Sequence, residues 1–125
     1  MELSALIEKY NDAWNRQDLD AVAAMHADEI VFHNWTAGER VEGAEAVREH
    51  IGRIFENWPT LRFTGRTLRM GGDFVVSEWT AHATRGDESL EWDGIDVFPV
   101  RDGKITRKDV YSSSHEPRVA RSPRA

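Results

Sequence analysis

The second half of this chain carries three turn signals that separate four short segments of predicted strand. The signals are Gly71-Gly72-Asp73, Gly86-Asp87 and Asp102-Gly103. Glycine adopts the positive φ that tight hairpin turns require at little cost. Strands joined by such short turns pair antiparallel with their neighbours, so we expect a four-stranded meander from Leu61 onward.

The first half of the chain shows helical periodicity instead. Asp18 is a suitable N-cap for a short second helix that has Val22 on its inner face. Before it, apolar residues recur at the spacing of one helix face and predict a first helix that ends near Arg16. These residues are Leu3, Leu6, Ile7, Tyr10 and Trp14.

A strand, a loop and a third helix are predicted between these helices and the meander. Glu29–Trp35 is an apolar strand segment, and Thr36–Glu42 has the polar composition of a loop. Gly43 leads into a helix through about Asn57, which ends there because the next two residues are Trp-Pro and the residue before proline avoids helical backbone. Helices followed by antiparallel strands indicate the α+β class.

Length and charge narrow the possible classes of protein. The 125 residues are enough for one domain, which we assign to residues 1–114, with residues 115–125 as a flexible tail. The net charge of −6 is opposite in sign to that of a nucleic-acid-binding protein. The absence of cysteine excludes disulfides and thiolate metal sites. No apolar leader or long apolar run is present, so we expect a cytoplasmic protein that does not bind membranes.

One carboxylate is out of place in the predicted hairpin of residues 94–111. Asp96 lies between Ile95 and Val97 in an otherwise apolar strand. Strand alternation allows two interpretations, because Asp96 points either to a solvated face of the sheet or into a pocket. In a pocket, burial would raise the pKa of the carboxyl group and make its proton chemically useful.

Several short patterns resemble those of the SnoaL-like branch of the nuclear-transport-factor-2-like superfamily, over roughly Leu3 to Ser113. They are the Tyr-x3-Trp of the first helix, the strand after Ala-Asp-Glu, the helix start at Gly43, and the sequences IDVF and DGKI of the last hairpin. The resemblance implies a curved antiparallel sheet wrapped around three N-terminal helices, with a conical apolar pocket between them. It also implies that the outer face of the sheet often joins two copies in a homodimer.

Within that fold, strand alternation sorts side chains into two sets. If Asp96 points inward, Glu78, Thr80, His82 and Thr84 lie on the outer face and are the expected dimer contacts. The expected pocket suits a flat, hydrophobic small molecule, although the same aromatic residues could simply fill a core. The residues predicted to line it are Trp14, Phe32, Phe55, Trp79, Trp92, Phe98 and Val110.

The superfamily includes ketosteroid isomerase, and that resemblance suggests catalytic roles. Tyr10 and Asp96 correspond to the two hydrogen-bond donors that stabilise the enolate oxygen in that enzyme, where the aspartate is kept protonated. The proton-carrying aspartate corresponds to Asn34, whose amide cannot take a proton, so steroid isomerisation itself is not expected. His26 is the remaining candidate for a general base, unless it is a helix-end histidine bonded to backbone or water.

The sequence gives less support to epoxide hydrolysis and to metal or cofactor chemistry. The charged constellation of limonene-epoxide hydrolase, another member of the superfamily, corresponds here to Ala81, Trp79 and Val110, which cannot activate water. The histidines lack the spacing of a metal site, so neither a metal nor a cofactor is expected. Three functions remain open: an enzyme for cofactor-free isomerisation, cyclisation or dehydration beside a carbonyl group, a non-catalytic binder of a hydrophobic molecule, and a dimerising association module.

Overall fold

The computed structural model describes residues 2–113 and 118–119. Within these residues the helices are α1 Leu3–Asn15, α2 Leu19–Ala24 and α3 Ala44–Asn57. The strands are β1 His26–Asn34, β2 Glu39–Glu42, β3 Arg62–Met70, β4 Phe74–Arg85, β5 Glu88–Arg101, β6 Lys104–Ser112 and β7 Arg118–Val119.

The strands form one curved, open sheet in the order β2-β1-β6-β5-β4-β3, and β7 pairs with β5. The predicted meander is confirmed, since β3 to β6 are consecutive antiparallel neighbours. The predicted α+β roll is likewise confirmed. The sheet is not wholly antiparallel, however, because β1 runs parallel to β6. These two strands are far apart in sequence, so no short turn fixes their relative direction.

Two predicted boundaries around β1 were wrong. The strand begins at His26 rather than Glu29, with a register shift between His26 and Val31 that interrupts its pairing with β6. The predicted loop contains β2, which pairs with Val31–Asn34. β2 is an edge strand whose residues are exposed apart from half-buried Val41, so its composition is as polar as that of a loop.

The predicted starts of α2 and α3 and the predicted alternation of buried residues along β4 are present in the structure. The Asp18 carboxylate accepts a hydrogen bond from the Ala21 N–H and so caps α2. α3 starts after Gly43, whose φ of 91° lies in the region that favours glycine. Along β4 the buried residues alternate as predicted, and they are Val75, Ser77, Trp79, Ala81 and Ala83.

The C-terminal end of the chain is only partly described. Residues 118–119 pair through their backbone with Leu90 and Glu91 of β5. The remainder of the predicted flexible tail lies outside the described residues. Among the residues that are described, no helix is both long enough and apolar enough to cross a membrane.

Candidate active site

A cavity of about 200 Å³ lies between the helices and the inner face of the sheet. Aromatic residues are the largest group in its wall, and they are Trp14, Phe32, Trp58, Phe63, Trp79 and Trp92. The polar residues of its lining are Asn34, Glu39, Asp96, Lys108 and Ser112. An apolar wall with a few polar groups is typical of a small-molecule site.

Most of the predicted pocket residues meet in this cavity. Trp14, Phe32, Trp79, Trp92 and Val110 all contribute to its lining, together with Asn34 and Asp96.

Phe55 and Phe98, which were predicted with them, are not part of that lining. Phe55 packs edge-on against Trp14, with 5.2 Å between ring centroids, and thus supports the wall from behind. Phe98 is fully buried and packs edge-on against Tyr10 at 5.4 Å.

The Asp96 carboxylate is paired with a lysine. Lys108 Nζ lies 3.0 Å from Asp96 Oδ2, and the two residues are only 6% and 4% exposed. Among the residues described, Asp96 Oδ1 accepts no hydrogen bond. Because both residues also line the cavity, an ionisable pair lies within reach of any molecule bound there.

Sequence reasoning missed Lys108, although alternation from Val110, which was predicted to line the pocket, also turns Lys108 inward. In the structure, a bulge in the β5–β6 hairpin brings Lys108 to the same face as Ile105. Near the turn Val100 faces Ile105, but after a register shift Val97 faces Asp109. Both Ile105 and Lys108 are therefore buried although they are three residues apart. Without the shift, alternation from Ile105 would turn Lys108 to the outer face.

Pro99 is the sequence signal that could have revealed this bulge. A proline has no N–H for the ladder, and within sheets it is confined to edges, strand starts and bulges. Here the Pro99 carbonyl accepts a hydrogen bond from the Thr106 hydroxyl across the irregular region. The same alternation that places Val110 and Ser112 inward then places Lys108 inward as well.

Aromatic rings surround the Lys108 ammonium group. Nζ lies 4.6 Å from the Trp14 ring centroid, 4.8 Å from that of Phe98 and 5.1 Å from that of Tyr10. At these distances the ring quadrupoles attract a cation. The rings hold the amine in place and stabilise a positive charge on it without supplying a second anion.

Burial favours the neutral form of both Asp96 and Lys108. It raises the pKa of Asp96, against the opposing effect of Lys108 and a smaller lowering by the nearby Trp79 indole. It lowers the pKa of Lys108, against the opposing effect of Asp96. In the ion pair the proton is on Lys108, and in the neutral pair it is on Asp96. The pair can therefore give a proton from one group and accept a proton at the other, and its net charge is the same before and after.

Tyr10 and His26 form a second buried pair behind the cavity. The Tyr10 hydroxyl and His26 Nε2 share a hydrogen bond of 2.8 Å, and neither residue belongs to the cavity lining. Burial raises the pKa of Tyr10. Tyr10 and Asp96 were expected to act as two donors at one point of the cavity wall. The structure instead pairs Tyr10 with His26 and Asp96 with Lys108.

A family model for a SnoaL-like domain matches residues 7–108. This chain belongs to the SnoaL-like domain family. A comparison with curated proteins gave no significant match.

Several solved structures have a similar fold. IdmH from Streptomyces antibioticus, a proposed polyketide cyclase, is 21% identical with a TM-score of 0.79, over 90% of this chain and 93% of IdmH. A proposed polyketide cyclase from Xanthomonas campestris is 27% identical with a TM-score of 0.72, over 86% and 87% of the two chains. An uncharacterised cystatin-fold protein from Novosphingobium aromaticivorans is 23% identical with a TM-score of 0.77, over 88% and 97%.

Gly94 shapes the cavity wall of this SnoaL-like domain. It faces Trp79 across the β4–β5 ladder, and a Cβ at position 94 would lie 2.2 Å from Trp79 Cη2. The missing side chain leaves room for the Trp79 indole next to Gly94. Glycine in a strand interior often marks such a close approach.

Asn34 lies at the end of β1 with its side chain at the cavity wall. Its Oδ1 accepts a hydrogen bond of 3.0 Å from the Ala37 N–H and so stabilises the turn that leads to β2. One function of Asn34 is therefore structural, and the rest of the carboxamide is available to orient a ligand.

His26 is a buried strand residue rather than a helix-end histidine. Burial, together with the nearby Lys108 charge, lowers the pKa of His26 to about 4 from its ordinary value of 6.5. The imidazole is neutral at neutral pH, and a group with so low a pKa is a weak base. This electrostatic environment argues against His26 as the general base.

The low pKa of His26 makes the stability of the fold depend on pH. The unfolded state takes up a proton below about pH 6.5 and the folded state only near pH 4, so the stabilisation is present above pH 6.5 and is lost as the pH falls. We expect wild type to lose about 2 kcal/mol of unfolding free energy relative to His26→Gln between pH 7 and pH 5. Urea unfolding at both pH values measures this difference. The exposed His82→Gln is the control, and an equal pH response in wild type and His26→Gln would contradict the assignment.

Proposed function

We propose that this SnoaL-like domain is an enzyme that moves a proton beside the carbonyl group of a small apolar compound, leading to isomerisation, cyclisation or dehydration. The observation that carries the proposal is the buried Asp96–Lys108 pair in the wall of an aromatic cavity. A buried pair is weak evidence for a stabilising role, because apolar residues usually serve stability equally well. Its position at a cavity favours a chemical role instead.

Lys108 and Asp96 have different roles in the proposed reaction. The Lys108 ammonium donates a hydrogen bond to the carbonyl oxygen and stabilises the negative charge that develops there as an enolate forms. The Asp96 carboxylate takes the proton from the adjacent carbon and returns it at another position. Asn34 orients the bound molecule, while Tyr10 and His26 act as positioning residues that hold the Lys108 side chain from behind.

The cavity also suggests the class of substrate. Lys108 is the cationic residue of its lining, and Asp96 and Glu39 are the acidic ones, so a neutral compound fits better than an anion. The aromatic wall suits a flat ligand of roughly ten to twenty heavy atoms. Two structural neighbours that are proposed polyketide cyclases support a carbonyl compound as the substrate.

Exchange of hydrogen for deuterium tests the proposal without requiring the natural substrate. A panel of neutral monocyclic and bicyclic enones and 1,3-diketones is incubated with the protein in D2O, and exchange at the carbon beside the carbonyl is followed by NMR. We expect catalysed exchange for at least one compound. Tight binding across the panel without any exchange would instead favour the non-catalytic binder.

A homodimer through the outer face of the sheet is a second proposal, favoured by exposed apolar side chains. Trp35 and Tyr111 are 50% and 44% exposed, and their rings stack with an angle of 1° between planes. Ile95, also exposed, pairs with Tyr111 on the same face. A contiguous exposed apolar patch is the kind of surface feature that marks protein interaction sites.

Sedimentation velocity tests this second proposal. We expect a dimer at roughly 10 µM, a concentration at which an association of micromolar affinity is substantially formed. Tyr111→Ser is expected to shift it toward the monomer, because the substitution removes a central ring of the patch. A wild-type monomer at this concentration would contradict the proposal.

A further inference from the structure

We propose that Lys108 is a covalent catalyst that forms an imine with ketone or aldehyde substrates, with Asp96 as the acid and base of the imine-forming steps. The inference rests on the proposed function, since it assigns a covalent route to the same site. It is carried by the geometry: a lysine amine on the wall of an apolar cavity with a single carboxyl oxygen 3.0 Å from Nζ.

The surroundings of Nζ favour this chemistry over simple charge stabilisation. Burial lowers the pKa of Lys108, which increases the fraction of nucleophilic neutral amine. The rings of Trp14, Phe98 and Tyr10 would also stabilise the cationic iminium product, because it carries its charge where the ammonium did. Lys9 and Lys104, the other lysines of the chain, are both exposed and do not line the cavity.

Each proton in the reaction has an acceptor within the pair. Lys108 first passes a proton to Asp96, and its nitrogen then forms a bond to the carbonyl carbon while Asp96 protonates the oxygen. The Asp96 carboxylate next removes a proton from that nitrogen, which gives a neutral carbinolamine. Asp96 finally returns this proton to the hydroxyl group, the C–O bond breaks, and water leaves.

The product is an iminium ion on Lys108 beside an Asp96 carboxylate. Amine, carbonyl compound and carboxylic acid have become iminium, carboxylate and one water, so atoms and charge balance. The iminium makes the adjacent C–H more acidic than the ketone did. The same carboxylate then accepts that proton and an enamine forms, which is the nucleophile that a cyclisation or isomerisation requires.

A second cavity gives a place for the water that leaves and later returns to hydrolyse the imine. It measures about 70 Å³ and also reaches Asp96 and Lys108. Asn11 and Asn15 contribute polar groups to its wall. This volume exceeds what one water molecule requires, and the polar groups supply the hydrogen bonds that an ordered water needs.

Reductive trapping tests the proposal on the wild-type protein. The full chain is incubated at pH 7 with 2-naphthaldehyde and sodium cyanoborohydride, digested at acidic residues, and mapped by mass spectrometry. The chain has three lysines, so Lys9 and Lys104 are internal controls. We expect Lys108 to be alkylated at least about tenfold faster than either, because burial increases its fraction of neutral amine and the neighbouring Asp96 supplies the acid and base.

Trapping with an anionic aldehyde and trapping in a variant without the Asp96 carboxylate test the roles of the cavity and of Asp96. Glyoxylate, a small anionic aldehyde, is expected to show no preference for Lys108, because the acidic groups of the cavity disfavour an anion. Asp96→Asn is expected to reduce trapping at Lys108 by about tenfold or more, since it removes the acid and base of each step.

Trapping confined to Lys9 and Lys104 in wild type would overturn the proposed imine at Lys108. If deuterium exchange were nevertheless catalysed, the proposed function would stand on the non-covalent route, whereas loss of both would overturn both.

Discussion

Asp96→Asn and Lys108→Met are each expected to lower catalysed deuterium exchange by about 100-fold or more. The asparagine cannot accept the proton, and a positioned general base typically contributes a factor of about 10² to 10⁴. The methionine removes the donor to the enolate oxygen, and loss of one such donor typically costs a factor of about 10² to 10³. NMR exchange rates on the compound that wild type turns over fastest measure both effects.

Matched substitutions at exposed positions control for general effects on the protein. Asp73→Asn and Lys104→Met make the same chemical changes at exposed residues outside the cavity lining. They are expected to exchange at the wild-type rate. Wild-type exchange by Asp96→Asn, or equal losses in the controls, would remove the pair from the mechanism.

The same two substitutions are expected to destabilise the fold, and less than additively when combined. Removal of one partner leaves the other charge buried without compensation, which costs about 3 to 5 kcal/mol, with values near 3 where the remaining group can become neutral by proton transfer. The double variant contains neither charge, so we expect a coupling free energy of about 2 to 3 kcal/mol. Urea unfolding of the four proteins at pH 7 completes the cycle.

An exposed ion pair of the same protein provides the reference. Arg101 and Glu29 are paired on the surface, with side chains 66% and 58% exposed. Such pairs contribute about 0 to 1 kcal/mol because water screens them. A cost below about 1 kcal/mol for Lys108→Met would place the Asp96–Lys108 pair in the same class and contradict its assignment as a desolvated pair.

Much of the fold could be predicted because local signals and tertiary structure agree. The three glycine-containing turns lie between β3 and β6 as predicted, and Trp58 ends α3 before Pro59. Strand alternation left two directions open for Asp96, and its burial in the structure corresponds to the pocket-facing one. β2 was missed because an exposed edge strand has no apolar face by which alternation could identify it.

The chemistry of the site could not be predicted to the same extent, because it depends on register. A shift of one residue between Val97 and Val100 decides whether Lys108 faces the cavity or the outer surface. A lysine is usually exposed, so its residue type gave no reason to place Lys108 in the cavity. The hydrogen bond between Tyr10 and His26 joins α1 to the first residue of β1, a contact between elements that no local pattern specifies.

We propose that Asp96 and Lys108 form one reactive centre for carbonyl compounds, and a fluorescence titration with a polycyclic naphthol tests this most directly. The naphthol resembles an enolate, and its emission reports whether its hydroxyl group is ionised. In the proposed site a neutral naphthol passes its hydroxyl proton to Asp96, so we expect wild type to bind it with the spectrum of the ionised form. Lys108→Met and Asp96→Asn are expected to weaken binding or restore the neutral spectrum. Binding that is indifferent to both substitutions, or no binding to wild type, would contradict the account.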